Sequence, residues 1–367
     1  MKKGVLRGLI YLVVISLSMS TAIATPPLKL PPDHRNLTKV YGILGASKGI
    51  AKTYLGEGVT IAILDSGIES NHLQFNGRVL TEVCIAQAKK VGTQGSPYCK
   101  NGKSINLGLG AASTLSSTGV VMSNHGNRTA SVFLEFAPSA KIIMIKSQSD
   151  LKSLQWIDAN KLKYKIAGII WNSSELPYFN SGSKKSCIKS NFEKHQLVSK
   201  LIEQGLSIFT STGNDSNARV DTLKYPNCDP LVISVSATNH NDVIAEYANY
   251  SSATTFVAPD SVETAYFSKL GAVNEWSSTL TQGTSWTTPI VAALFARGKQ
   301  LDTNLKQRDF VRIGRETATS ILANGSTKLY RVNFDKFLME LKVKTESKQS
   351  ISSQKSKTSL RFFFLKV

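Results

Sequence analysis

Three short stretches of this chain set a reactive side chain beside glycine: Asp65-Ser66-Gly67, Asn124-His125-Gly126 and Gly283-Thr284-Ser285. An acid, an imidazole and an alcohol are what nucleophilic acyl transfer requires. The alcohol attacks, the imidazole takes and returns its proton, and the acid holds the imidazole in the useful tautomer. Each residue also has a plainer reading. Asp65 can form a turn, His125 can be an ordinary hydrogen-bonded histidine among the five of the chain, and Ser285 can cap the apolar, Ala-rich helix that follows it. A hydroxyl at a helix start does lie beside unpaired backbone N–H groups, which would meet a developing oxyanion. Pro289 is expected to fall within the first turn of that helix, where its missing N–H does no harm.

The elements around these residues suit that chemistry. Gly58 to Ile68 is a continuous run rich in β-branched residues, expected to form a strand buried on both faces of a parallel sheet. Asp65 closes its C-terminal end, where α/β sheets place ligands. Small residues after His125 place the imidazole at a helix N-terminus.

Asp first, His second and Ser last, each in a Gly-flanked turn beside a buried segment, is the chain order of subtilisin. The sequence resembles the subtilisin-like serine proteases over roughly residues 55–300. Asp65-Ser66-Gly67, His125-Gly126, and Gly283-Thr284-Ser285 with Pro289 four residues on are similar to the three blocks of that family. Ala137-Pro138, Gly205 to Asp215, Tyr225-Pro226 with Val232 to Thr238, Asn249-Tyr250-Ser251 and Ala258-Pro259 extend the match. The resemblance implies an α/β, three-layer fold with a mostly parallel central sheet flanked by helices, and serine endopeptidase activity on protein or peptide substrates. It implies Asp65, His125 and Ser285 as catalytic residues, with Asn214 and the Ser285 N–H as oxyanion donors. It also implies Ser173, Ser174, Glu175 and Gly213 at the substrate. Glu175 stands where the family has glycine, so a carboxylate would sit at the rim of the first specificity pocket. Asn127, Arg128, Ser131 and Ile290 are further departures, lying behind the triad. The competing reading is a pseudoprotease whose closed cleft serves as a binding scaffold.

Composition bounds the rest. Residues 1–24 carry a basic start (Lys2, Lys3, Arg7), a short apolar core and an Ala22-Ile23-Ala24 site, the pattern of an export signal. A linker with a short helix is expected over 25–54, the peptidase domain over 55–335, and a basic tail over 336–367 whose polar part is expected to be disordered. Within the domain, 76–124 reads as an exposed insertion stapled by a disulfide, and 300–335 as one or two helices and a strand. A chain of 367 residues with 41% hydrophobic content can build a sizeable core. The formal charge of +19 would favour electrostatic contact with an anionic envelope surface. Dispersed Lys and Arg without interleaved aromatics speak against nucleic acid.

The cysteines Cys84, Cys99, Cys187 and Cys228 suit an exported protein with two disulfides. Pairing of sequence neighbours closes the smaller loops, among three connectivities. No cofactor is expected, and no metal: the family's calcium-binding Asp, nine positions after the catalytic Asp, is Gln74 here. With about 30 residues between the signal and the core on this segmentation, activation by removal of a folded propeptide is not expected. A monomer is expected. The sequons starting at Asn36, Asn127, Asn172, Asn249 and Asn324 are read as coincidental.

Overall fold

Thr60–Asp65 forms a strand, β1, in which every residue is buried. Ile61 and Ile63 face one apolar layer, while Ala62 and Leu64 face another. Alternation between two cores is what a β-branched apolar run achieves at the centre of a parallel sheet. The computed structural model describes residues 35–86, 99–116, 118–172, 184–216, 225–260, 262, 264–266, 275–276 and 282–364. The export signal and the candidate substrate residues Ser173, Ser174 and Glu175 lie outside them.

On one side β1 pairs in parallel with β4 (Lys141–Ser147), and β4 with β2 (Val79–Ile85). The short antiparallel β3 (Ile105–Leu107) ends that edge. On the other side follow β5 (Ile166–Trp171), β6 (Ser207–Ser211), β7 (Ile233–Thr238) and β8 (Phe256–Pro259), all parallel. A hairpin of β11 (Thr319–Ala323) and β12 (Thr327–Arg331) joins beside β8, giving this sheet ten strands, and β9 (Ala265–Tyr266) pairs separately with β10 (Glu275–Trp276). The chain leaves β1 towards β2 on one side and leaves the adjacent β5 towards β6 on the other, so the connections diverge at the C-terminal ends of β1 and β5, where α/β sheets place ligands.

Helices cover both faces. α2 (His125–Phe136) and α6 (Thr284–Leu301) pack on the Ile61/Ile63 side, joined by α1 (Arg35–Leu44) and α7 (Gln307–Thr317). α3 (Asp150–Tyr164) and α5 (Phe192–Glu203), the latter preceded by the short α4 (Lys184–Ser190), cover the Ala62/Leu64 side. Three layers result, as expected. α6 is apolar almost all round and is accordingly buried from Trp286 to Gly298. Disulfides join Cys84 to Cys99 and Cys187 to Cys228, the pairing of sequence neighbours.

The segment 76–124 differs from an exposed insertion. It opens with β2, an interior strand in which Thr81 to Ile85 are buried. Glu82 disguised that strand, yet its carboxylate is fully buried, accepting from Ser70 Oγ at 2.5 Å and Ala112 N at 2.9 Å. Burial pushes the Glu82 carboxyl above its usual range, partly offset by these hydrogen bonds. Glu69 pins the returning loop in the same way, its Oε1 accepting from Thr114 N, Thr114 Oγ1 and Ser113 Oγ.

Both ends of the described chain are more ordered into the body than the sequence suggests. Val40, Leu44, Ala46 and Ala51 are buried in the main core, so the short helix before residue 55 is part of the packed structure. The buried Arg297 guanidinium donates to Ala46 O at 3.1 Å, Ala51 O at 2.8 Å and Phe136 O at 2.5 Å. At the other end the polar run is helical: α8 spans Phe334–Phe364. Phe334, Phe337, Leu338 and Leu341 bury its first turns, and Glu340–Lys344 and Lys342–Glu346 pairs at i,i+4 lie on its exposed side. No described helix is long and apolar enough to cross a membrane.

Candidate active site

Asp65 and His125 meet at the C-terminal edge of β1. His125 Nδ1 lies 2.7 Å from Asp65 Oδ1. Asp65 is nearly inaccessible, with its carboxylate also accepting from Ser66 N at 2.6 Å and Thr129 Oγ1 at 2.8 Å. The histidine side chain keeps 37% of its surface exposed, so it is open to solvent. Burial favours the neutral imidazole, but the Asp65 charge and hydrogen bond outweigh it, and the His125 pKa is raised.

Glycine is required where the two segments touch. A Cβ on Gly126 would stand 2.1 Å from Gly67 O, and one on Gly67 would stand 2.1 Å from Ala112 O. Backbone therefore lies directly on backbone, which only glycine permits. Ser66 Oγ fastens the junction by accepting from Gly126 N at 3.0 Å and Ser123 Oγ at 2.9 Å.

Ser285 is the second residue of α6, where an N–H lacks an intrahelical acceptor. Its neighbour Trp286 packs on the His125 ring, with centroids 4.9 Å apart and a tilt of 42°. Asn172, the residue after β5, donates through Nδ2 to Ser285 O at 3.0 Å and reaches Thr129 Oγ1 at 3.5 Å. Asp65, Thr129, Asn172 and Ser285 thus form one polar chain alongside the imidazole.

Asn214 follows β6 on the other flank. Thr284 N and Thr284 Oγ1 both donate to Asn214 Oδ1 at 2.9 Å, which turns the amide NH2 away from them. That NH2 nitrogen lies 3.7 Å from where a Cβ on Gly283 would sit, so the absent side chain of Gly283 keeps space in front of it. Gly213 has both backbone groups engaged, donating to Thr284 Oγ1 and accepting from Asn249 N. It shapes the turn before Asn214. Buried Asn249 clamps the same turn through Asp215 N and Thr212 O.

Pro289 is one place where the structure departs from expectation. It is the sixth residue of α6, beyond the first turn. The carbonyl it cannot serve, four residues back, is that of Ser285. Asn172 supplies the missing donor. Neither Asn172 nor Thr129 stood out in the sequence. The available signals were a polar residue closing an apolar strand and a hydroxyl one helical turn after His125. Asn127 and Asn249 are buried and hydrogen-bonded, so these two sequons are structural asparagines.

An acid–imidazole pair closes a strand end, and Ser285 opens a buried helix, on one parallel three-layer scaffold. The model of the subtilase family matches residues 56–343, and the chain belongs to that family. It is 30% identical over 184 residues to the minor extracellular protease Epr of Bacillus subtilis, covering 48% of this chain and 25% of that protein. Identity to an intracellular serine protease of Paenibacillus polymyxa is 27%, over 69% of this chain and 70% of the other. Identity to subtilisin NAT of Bacillus subtilis subsp. natto is 28%, over 70% and 60% respectively. Among solved structures, a protease of Pseudoalteromonas arctica shares the fold with a TM-score of 0.64 and 18% identity, over 84% of this chain and 99% of that one. A cold-adapted subtilisin-like serine proteinase does so with a TM-score of 0.53 and 19% identity, over 76% and 90%.

Proposed function

We propose that this chain is an exported serine endopeptidase that hydrolyses peptide bonds in protein or peptide substrates. Ser285 is the nucleophile, His125 the general base and then acid, Asp65 the residue that orients the imidazole, and Asn214 an oxyanion donor. The observation that carries the reading is the Asp65–His125 hydrogen bond of 2.7 Å, with the imidazole packed on the residue next to Ser285.

In the first half-reaction Ser285 Oγ adds to the scissile carbonyl carbon as its proton passes to His125 Nε2. Asp65 accepts from Nδ1–H, fixing the tautomer and stabilising the imidazolium that forms. The tetrahedral oxyanion is met by Asn214 Nδ2 and the Ser285 N–H. Collapse breaks the C–N bond, and His125 returns its proton to the leaving amine. Water then repeats the sequence on the acyl-enzyme, releasing the carboxylic acid and free Ser285.

A fluorophosphonate probe tests this directly. The purified protein should be labelled at Ser285, Ser285→Ala should not be, and peptide cleavage should follow labelling. A folded, unlabelled and inactive wild type would instead indicate a binding scaffold.

The first 24 residues, the two disulfides and the extracellular B. subtilis relative support export. Mass spectrometry of protein recovered outside the cytoplasm should give an N-terminus at Thr25.

A further inference from the structure

Pro289 and Asn172 lie on different elements, yet they meet at one atom, the carbonyl oxygen of Ser285. In a regular helix that oxygen accepts from the N–H four residues on. Proline has none, so the carbonyl of the nucleophile's own peptide unit lacks its regular helical donor at the start of α6. The Asn172 amide takes it at 3.0 Å. The same nitrogen reaches Thr129 Oγ1 at 3.5 Å, and Thr129 Oγ1 donates to Asp65 Oδ2 at 2.8 Å.

We infer that Asn172 is a positioning residue for Ser285, standing in for the backbone donor that Pro289 lacks and tying the nucleophile to Asp65 through Thr129. The inference rests on the catalytic assignment above. The consequence is geometric. A carbonyl bonded to its own helix moves with the helix, whereas one bonded to the residue after β5 is held to the central sheet. Asp65 ends β1, and Asn172 directly follows the adjacent β5 with its own N–H donating to Leu64 O of β1 at 3.0 Å, so both are fixed to that sheet. The alcohol and the acid are therefore referenced to one rigid frame by a route that bypasses the imidazole. The orientation of the amide follows from chemistry, since only its NH2 can face a carbonyl. Asn172→Asp, nearly identical in shape, would set oxygen against oxygen.

The test is a double-mutant cycle between Asn172 and Pro289, with fluorophosphonate labelling, kcat, KM and Tm read for each variant. Asn172→Ala and Asn172→Asp should each lower kcat and the labelling rate by about 10–100-fold with KM changed less than about threefold, the size expected when a nucleophile is slightly misplaced. Pro289→Ala restores an N–H at position 289. In that background Asn172→Ala should cost less than about threefold in kcat, a rescue that a purely structural role for Asn172 would not produce.

Equal loss in both backgrounds, or less than twofold loss in the native background, would overturn the positioning role. Ser285-dependent labelling in the wild type shows that such a result concerns Asn172 alone. Labelling that persists in Ser285→Ala overturns the catalytic assignment, and the positioning role falls with it.

Discussion

Gly126 and Gly67 lie so close that a single methyl group on Gly126 would stand 2.1 Å from the carbonyl oxygen of Gly67. These glycines follow His125 and Asp65 at one and two residues' distance. Their backbone contact sets how near the imidazole comes to the carboxylate.

Gly126→Ala should therefore damage stability and chemistry together. The obstacle is backbone and cannot swing aside, so the cost is at or above the ~1–3 kcal/mol typical of overpacking. Denaturant midpoints and fluorophosphonate labelling should both fall. A variant with native stability and native labelling would show that the two segments can separate freely.

The pH profile follows from the His125 environment. Burial alone would lower the imidazole pKa, but Asp65 more than offsets it and the value lies above 6.5. In the proposed mechanism the base must be neutral to accept the Ser285 proton, so kcat/KM should rise with pH through a midpoint above 6.5. The stability linkage has the opposite sense. The charged pair stabilises the fold below the unfolded-state pKa, and this contribution is lost as pH rises through the folded-state value. Asp65→Asn should move the midpoint down and reduce turnover by on the order of 10⁴-fold. An unmoved midpoint would remove Asp65 from the mechanism.

Asn214 should act on turnover and leave binding nearly intact. Asn214→Leu should lower kcat by on the order of 10²–10³, the size found on removing the equivalent donor from a subtilisin, with KM little changed. Thr284→Val deletes one of the two bonds that orient the amide and should give a smaller loss in kcat of the same kind. Steady-state kinetics on a peptide substrate separates kcat from KM in both variants. A loss confined to KM would assign Asn214 to substrate binding.

Arg297 supports the prediction that the segment before residue 55 cannot be removed. Its guanidinium serves three carbonyls, two of them in that segment, and burial lowers its pKa to about 10. Cutting the chain at residue 55 would strand a buried cation with part of its donors unpaired, and each unsatisfied polar group costs ~1–3 kcal/mol. Arg297→Met should leave the carbonyls unpaired, lowering Tm by several degrees at the ~2–4 °C per kcal/mol typical of domains of 150–250 residues. Thermal unfolding of that variant and soluble expression of the truncated chain decide the matter. A truncated chain that is soluble, folded and of native Tm would show the segment to be dispensable.

Much of the scaffold was legible because parallel strands buried on both faces announce themselves: Gly58 to Ile68 reads as β1 without help. β2 did not, because Glu82 breaks its apolar run, and only the donors Ser70 Oγ before the strand and Ala112 N on the loop after it make a buried carboxylate acceptable there. The tail misled for the opposite reason. Lys, Glu, Ser and Gln read as a solvated coil, yet Phe334, Phe337, Leu338 and Leu341 give α8 a face to bury.

What the sequence determined by itself is the inventory of chemistry and its order: Asp65 at a strand end, His125 and Ser285 at helix starts, each beside glycine. Those signals are local, carried by residue type and immediate neighbours. The tertiary structure decided which groups hold them, namely Gly67 under Gly126, Thr129 on Asp65, Asn172 on Ser285, and Arg297 on Ala46 and Ala51. A hydrogen-bonding side chain or an absent Cβ is ambiguous until its partner is known. These partners lie 59 positions away for the two glycines, 64 for Thr129, 113 for Asn172, and 251 and 246 for Arg297.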